Sequence, residues 1–330
     1  MPLQTNQVIV GVAKQSASGT IATNPTYAHG VKGGAPLSVD PSQSVLEVTS
    51  SKRAYTTVIR EAVANSASIE APAYLKTLGL WLLGAIGTTT DAGSAGAYTH
   101  TYATGDLPYL SIFAKGMDAT AGQTIQAIRD CKVDELTLKW DNSKPVELSV
   151  KCNGTVFSYP TTFSATTDDT GSESFLIPVG GTFQYDVSGA SPATARVISG
   201  ELTIKNNLAP VDTAAAIEHA DQYEGVQEHE LKLTVVPDNL TDFRKVITGA
   251  SNGTSATSVV PTGSIAITFK ENNGTGTLAV TGSKVAFVTS IPDADPKGGP
   301  AQIELAGTAV LASGATSPLI YVLTNAVQTY

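Results

Sequence analysis

Apolar residues in this chain recur mostly at every second position, the period of a strand with one buried face. The clearest case is Lys132 to Trp140, with Leu136, Leu138 and Trp140 on one face, followed by Val146 to Lys151, with Val146, Leu148 and Val150 on one face. The turn-forming run Asp141-Asn142-Ser143-Lys144-Pro145 between them predicts a hairpin. The same alternation predicts strands at Gln7 to Ala13, Val45 to Thr49, Ala54 to Glu61, Ser66 to Ala71, Tyr98 to Tyr102 and Tyr109 to Lys115. It resumes at Thr182 to Val187, Arg196 to Lys205, Glu228 to Val236, Ser264 to Lys270, Leu278 to Thr289, Ala301 to Leu311 and Pro318 to Thr324. Lys14 to Ser44 reads as a long loop, Tyr159 to Gly181 as a linker, and Pro210 to Glu224 as a polar stretch with helical character.

Two segments have a helical period instead. Pro72 to Ala85 carries Leu75, Leu78 and Leu82 on one stripe, with Pro72 as its start and Gly84 and Gly87 as its stop. Asp238 to Thr248 is the second. PAYLKTLGLWLLGA (Pro72 to Ala85) and PDNLTDFRKVITGA (Pro237 to Ala250) align without a gap. Leu75 falls on Leu240, Leu78 on Phe243, Trp81 on Val246 and Leu82 on Ile247. Each follows a strand and leads towards a hairpin, which predicts an internal duplication. The expected architecture is mainly β: two tandem β-sandwich folds, each with one short flanking helix. The expected divisions are an N-terminal arm at 1–44, a first fold at 45–158, a linker at 159–181 and a second fold at 182–330.

Composition agrees with turn-rich β structure. Charged residues are 15% of the chain, against about 25% in ordinary soluble domains, and small residues with 30 Gly and 17 Pro take their place. A surface this poor in charge suits burial against partners. The net charge of −9 comes without a basic cluster, so a grip on nucleic acid phosphates is disfavoured. The first residues, MPLQTNQVIVG, lack the basic and apolar regions of a signal peptide, which predicts a cytoplasmic start. No apolar run is long enough to predict a membrane span.

Candidate chemistry is sparse. His29, His100, His219 and His229 are scattered and are read as turn or surface residues; no nucleophile–base or metal-ligand spacing surrounds them. Asp293-Ala-Asp295-Pro-Lys297-Gly298 with Glu304 approaches a calcium loop, but Lys297 stands where an oxygen ligand belongs and a strand follows. The expectation is no catalysis, no cofactor and no metal. Alternation from the hairpin's apolar faces puts Cys131 on the opposite face from Cys152, so two reduced thiols are expected. The Asn-Gly-Thr triplets at Asn153, Asn252 and Asn273 read as turns.

Three segments, in order, resemble the major tail tube proteins of long-tailed bacteriophages. CKVDELTLKWDNSKPVELSVKCNG (Cys131 to Gly154) is similar to that family's central hairpin. SGELTIKNNLAP (Ser199 to Pro210) is similar to the strand end that follows it, and SPLIYVLTN (Ser317 to Asn325) to its closing strand. The resemblance implies a structural virion protein, made in the host cytoplasm, whose rings stack into a tube for DNA. It implies self-association with sixfold ring symmetry, and tape measure, tail terminator and tip proteins as partners. A duplicated chain would then form trimeric rings, with a true hexamer as the alternative. DNA must slide without sticking, so an acidic, polar channel wall is expected. The candidates are Glu135, Thr137, Glu147 and Ser149 on the hairpin's polar face, then Glu201 and Thr203. The long loop at Lys14 to Ser44 is expected to touch a neighbouring ring. A surface adhesin or carbohydrate-binding β-sandwich is the alternative reading; it would favour surface aromatics, and aromatics are only 6% of this chain.

Overall fold

In a computed structural model, which describes residues 4–330 apart from 34–35, 46–56, 95, 119–121, 173, 190, 215, 238–239 and 290–300, the period-two segments form antiparallel sheets. The chain begins with β1 (Gln4–Lys14), β2 (Tyr27–Gly30), β3 (Ser38–Val45), β4 (Val58–Pro72) and helix α1 (Leu75–Ile86). It continues through β5 (Gly87–Ser94), β6 (Ala97–Thr104), β7 (Leu110–Asp118), β8 (Gly122–Asp141), β9 (Glu147–Gly154) and β10 (Val156–Ser158). Then come β11 (Thr167–Asp168), β12 (Leu176–Asp186), β13 (Ala193–Thr194), β14 (Val197–Lys205), β15 (Ala209–Val211), β16 (Asp221–Tyr223) and β17 (Glu228–Val235). Helix α2 (Thr241–Thr248), β18 (Thr262–Glu271), β19 (Thr277–Thr289), β20 (Ile303–Ala309) and β21 (Ile320–Asn325) complete it.

One continuous run of eight strands has the order β3-β4-β9-β8-β14-β17-β20-β19. Its inner face carries Ile69, Val150, Leu138, Leu202, Leu231 and Leu305, all buried in one apolar core that both halves of the chain share. Burying each such side chain is worth about 1.5–3 kcal/mol. α1 lies inside this core, and only Lys76 of its residues is not buried. It ends at Gly87, whose φ of +115° and close approach to the Gly105 carbonyl leave no room for a Cβ.

The wiring repeats. β1 pairs with β2 and β7 as β12 pairs with β13 and β18. β4 pairs with β3 and β9 as β17 pairs with β14 and β20. β8 pairs with β7, β9 and β10 as β19 pairs with β18, β20 and β21. Register shifts fall in corresponding pairs, β1–β7 with β12–β18 and β7–β8 with β18–β19. The β5–β6 and β15–β16 hairpins stand outside the repeat. The eight-stranded run is therefore two four-stranded blocks, β3-β4-β9-β8 and β14-β17-β20-β19, joined where β8 pairs with β14.

Several local expectations need correction. Pro72 closes β4 opposite Glu147 and does not open the helix. Ala73 is still bonded to the sheet, through its N–H to the Val146 carbonyl at 2.8 Å, so helical backbone starts only at Leu75. The 210–224 stretch forms the β15–β16 hairpin and not a helix. The long loop after Lys14 contains two strands. β2 pairs with β1, and β3, exposed along most of its length and lacking apolar alternation, is held by β4. Cys131 lies on the core side together with Cys152, because a bulge at Asp134 reverses the alternation along β8. Both thiols are free. Residues 46–49 of an expected strand lie outside the described residues.

Candidate functional site

All six expected wall residues meet on one surface, the outward face of the eight-stranded run. The β8–β9 and β8–β14 registers align them in rows across the strands. The middle row is uncharged at its centre: Ser149 of β9 lies opposite Thr137 of β8, and Thr137 opposite Thr203 of β14. The two threonine hydroxyls are 3.3 Å apart, and Thr203 is only 7% exposed. Glu70 of β4 and Glu230 of β17 bound this row.

The flanking rows alternate in sign. Lys151, Glu135, Lys205 and Glu228 run across β9, β8, β14 and β17 on one side. Glu147, Lys139, Glu201 and Lys232 run across the same strands on the other. Opposite charges directly across a ladder attract, and both rows continue through the β8–β14 junction between the blocks. Lys151 bonds Glu135 at 2.9 Å, Lys205 bonds Glu230 at 2.7 Å, and Lys232 bonds Glu304 at 3.0 Å. Lys32, from the loop after β2, reaches Glu147. Glu70, Glu135, Asp141, Glu147, Glu201, Glu228, Glu230 and Glu304 outnumber Lys139, Lys151, Lys205 and Lys232 in these rows. The surface is polar and net acidic, with most of its lysines held on carboxylates. These exposed pairs add little stability; their effect is on what the surface attracts.

The run also has two exposed ends. Among the described residues β3 pairs on one side only, with β4. At the other end Phe287 to Thr289 of β19 pair with β20, while the β18 pairing extends only to Ala286. Such edges offer unpaired backbone groups to another chain.

A model of the phage tail tube protein family matches residues 5–314. The chain belongs to this family. It is a structural component of the virion tail, and membership implies self-association into a tube. No curated protein matches the chain.

The histidines differ from the surface reading. His29, His100 and His229 are buried. His29 accepts the indole N–H of Trp81 at 3.2 Å and bonds the Gly30 carbonyl, and burial lowers its pKa. His229 bonds Tyr321 and Gln227, and burial lowers its pKa to about 4. His100 stands 2.7 Å from Asp91 and also faces the Asn325 side chain and Val327 carbonyl. Each is a core residue with its ring nitrogens partnered. Sequence reasoning missed them because a core histidine shares the strand period of its apolar neighbours. Among the described residues no cluster of His, Cys, Asp and Glu suits a metal ion. Asp293 to Gly298 lie outside the described residues, and Glu304 is engaged with Lys232.

Proposed function

We propose that three copies of this chain close a ring whose lumen is the acidic polar face, and that stacked rings form the conduit for DNA ejection. The observation that carries the reading is the division of the eight-stranded sheet into two blocks of one wiring. In this reading each chain holds two tail-tube folds, β1 to β10 and β12 to β21, with β11 in the connection. Three chains then supply six blocks. β19 of one copy joins β3 of the next as β8 joins β14 within the chain, and closure removes both exposed edges. Glu135, Thr137, Glu147, Ser149, Glu201 and Thr203 line the channel, where a net acidic wall repels DNA and keeps it sliding. The tape measure protein would occupy the lumen during assembly, and terminator and tip proteins would close the ends.

Symmetry determination by cryo-electron microscopy of purified tubes tests this directly. Threefold rings with the β8–β9 face inside are expected. Six chains per ring, or that face on the outer surface, would overturn the proposal.

A further inference from the structure

We infer that the junction between copies has one register, with Val288 of β19 directly opposite Asp40 in β3 of the next copy. The register rests on the ring reading and adds to it the residues that meet.

The chain carries its own template for that junction, the β8–β14 ladder, in which Glu135 lies opposite Lys205. The repeated wiring identifies the counterparts of these two residues. In β8, Ile128 faces Ile112 of β7 and Cys131 faces Leu110, so Arg129 and Asp130 bulge against the single Ser111. In β19, Gly282 faces Ile265 of β18 and Val285 faces Gly263, so Ser283 and Lys284 bulge against the single Ser264. Cys131 therefore corresponds to Val285. Two residues on, Val133 faces Cys152 of β9 as Phe287 faces Gly307 of β20. One step further, Glu135 faces Lys151 and Val288 faces Ala306, Asp134 being an extra residue in β8. Val288 is the counterpart of Glu135.

The other edge follows in the same way. Ala67 of β4 faces Cys152 as Leu231 of β17 faces Gly307. Counting back along both strands, Ala64 corresponds to Glu228. Asp40 of β3 faces Ala64 and Lys205 of β14 faces Glu228, so Asp40 is the counterpart of Lys205. When β3 docks beside β19 of another copy as β14 docks beside β8, Asp40 lands on Val288. Thr289 then faces Val39 on the core side, as Leu136 faces Ile204.

Both sites are open to a second copy. Val288 is 68% exposed, in the stretch of β19 that β18 no longer pairs, and Asp40 is exposed as well. An apolar residue on such an edge is what another strand covers. The seam also differs in chemistry from its template. The row Lys151, Glu135, Lys205 and Glu228 is replaced by Ala306, Val288, Asp40 and Ala64. Alternating charge does not cross it. Backbone bonding and the burial of Val288 hold the copies together, and a charge placed at position 288 meets Asp40 directly.

The test uses the full chain with Val288→Cys and Asp40→Cys, assembled into tubes and then oxidised. Cys131 and Cys152 are buried and stay out of the reaction. A denaturing gel is expected to show copies linked into a covalent trimer. Val288→Cys with Ser38→Cys, two residues along the same face, should link roughly tenfold more slowly, because diagonal neighbours stand about 7–8 Å apart, beyond ordinary disulfide reach. Faster linking by the Ser38 pair, or linking by neither pair in assembled tubes, would overturn the register and leave the ring reading intact. A charge series gives a second measurement. Val288→Glu sets a carboxylate against Asp40 and is expected to lose tubes, and adding Asp40→Lys is expected to restore them. Both sites are exposed, so these variants should keep the thermal midpoint of the parent monomer. Failure of Asp40→Lys to restore tubes would also overturn the register. A parent protein that forms no rings at all would overturn the ring reading itself.

Discussion

Asp169 shows how one residue from the expected linker comes to hold the central helix. It is fully buried, and its Oδ2 accepts the Thr77 N–H at 3.2 Å and the Thr77 hydroxyl at 2.8 Å. The residue at the cap position, Tyr74, makes no side-chain capping bond, so a carboxylate distant in sequence serves the start of α1. Burial raises the pKa of Asp169. Asp169→Ala should cost about 1–2 kcal/mol, read from denaturant midpoints. His229 gives a prediction in pH. Its folded pKa of about 4 lies below the ordinary 6.5, so the unfolded chain takes up a proton first as pH falls. Its contribution is absent above about pH 6.5 and grows as a penalty from there down to about 4, reaching about 2–3 kcal/mol. His229→Gln should therefore show a flatter loss of thermal midpoint between pH 7.5 and 4.5 than the parent. An unchanged slope would place the acid sensitivity elsewhere.

At the scale of elements, the β8–β14 ladder decides how the halves of the chain meet. Trp140 of β8 stacks on Phe183 of β12 and meets Phe269 of β18 edge-to-face, so the aromatic core bridges the two halves of the chain. Gly200 of β14 lies directly opposite Trp140, and a Cβ there would stand 2.3 Å from the indole ring. Gly200→Ala should force the ring aside and cost about 1–3 kcal/mol, seen as a lower denaturant midpoint. No such loss is expected for Gly116→Ala, because a Cβ at Gly116 meets nothing within 4 Å. The helices carry a second lesson. Equivalent in sequence, one is engulfed and the other half-exposed: α1 packs against β8 and the β5–β6 hairpin, which has no counterpart beside α2, and α2 packs against β19.

For the whole molecule, the decisive quantity is the charge of the polar sheet face. Ser149 lies opposite Glu70, and Thr308 opposite Glu230. Ser149→Lys with Thr308→Lys would place each new ammonium beside a carboxylate, which spares the fold while making the face less acidic. If this face lines the channel, tubes should still assemble. DNA release should slow, with the strongest effect at low salt, because lysines at phosphates displace counterions. Release kinetics indistinguishable from the parent across salt concentrations would count against a lumenal face.

The sequence by itself determined the β class, the two helices, the central hairpin and the polar composition of its outward face. Each is written in a local period: two along the strands, three to four along α1 and α2, and turn residues between Trp140 and Val146. The family was legible in the same segments. What tertiary structure alone decided depends on contacts between distant segments. The bulge at Asp134 brought Cys131 to the core, because alternation cannot reveal an extra residue in one strand. β3 and the β15–β16 hairpin escaped notice because an exposed strand, held by one neighbour, needs no apolar alternation. Above all, the juxtaposition of Glu135, Thr137, Glu147 and Ser149 with Glu201 and Thr203 required the β8–β14 pairing. Backbone hydrogen bonding between segments some sixty residues apart carries no periodic signal in either of them.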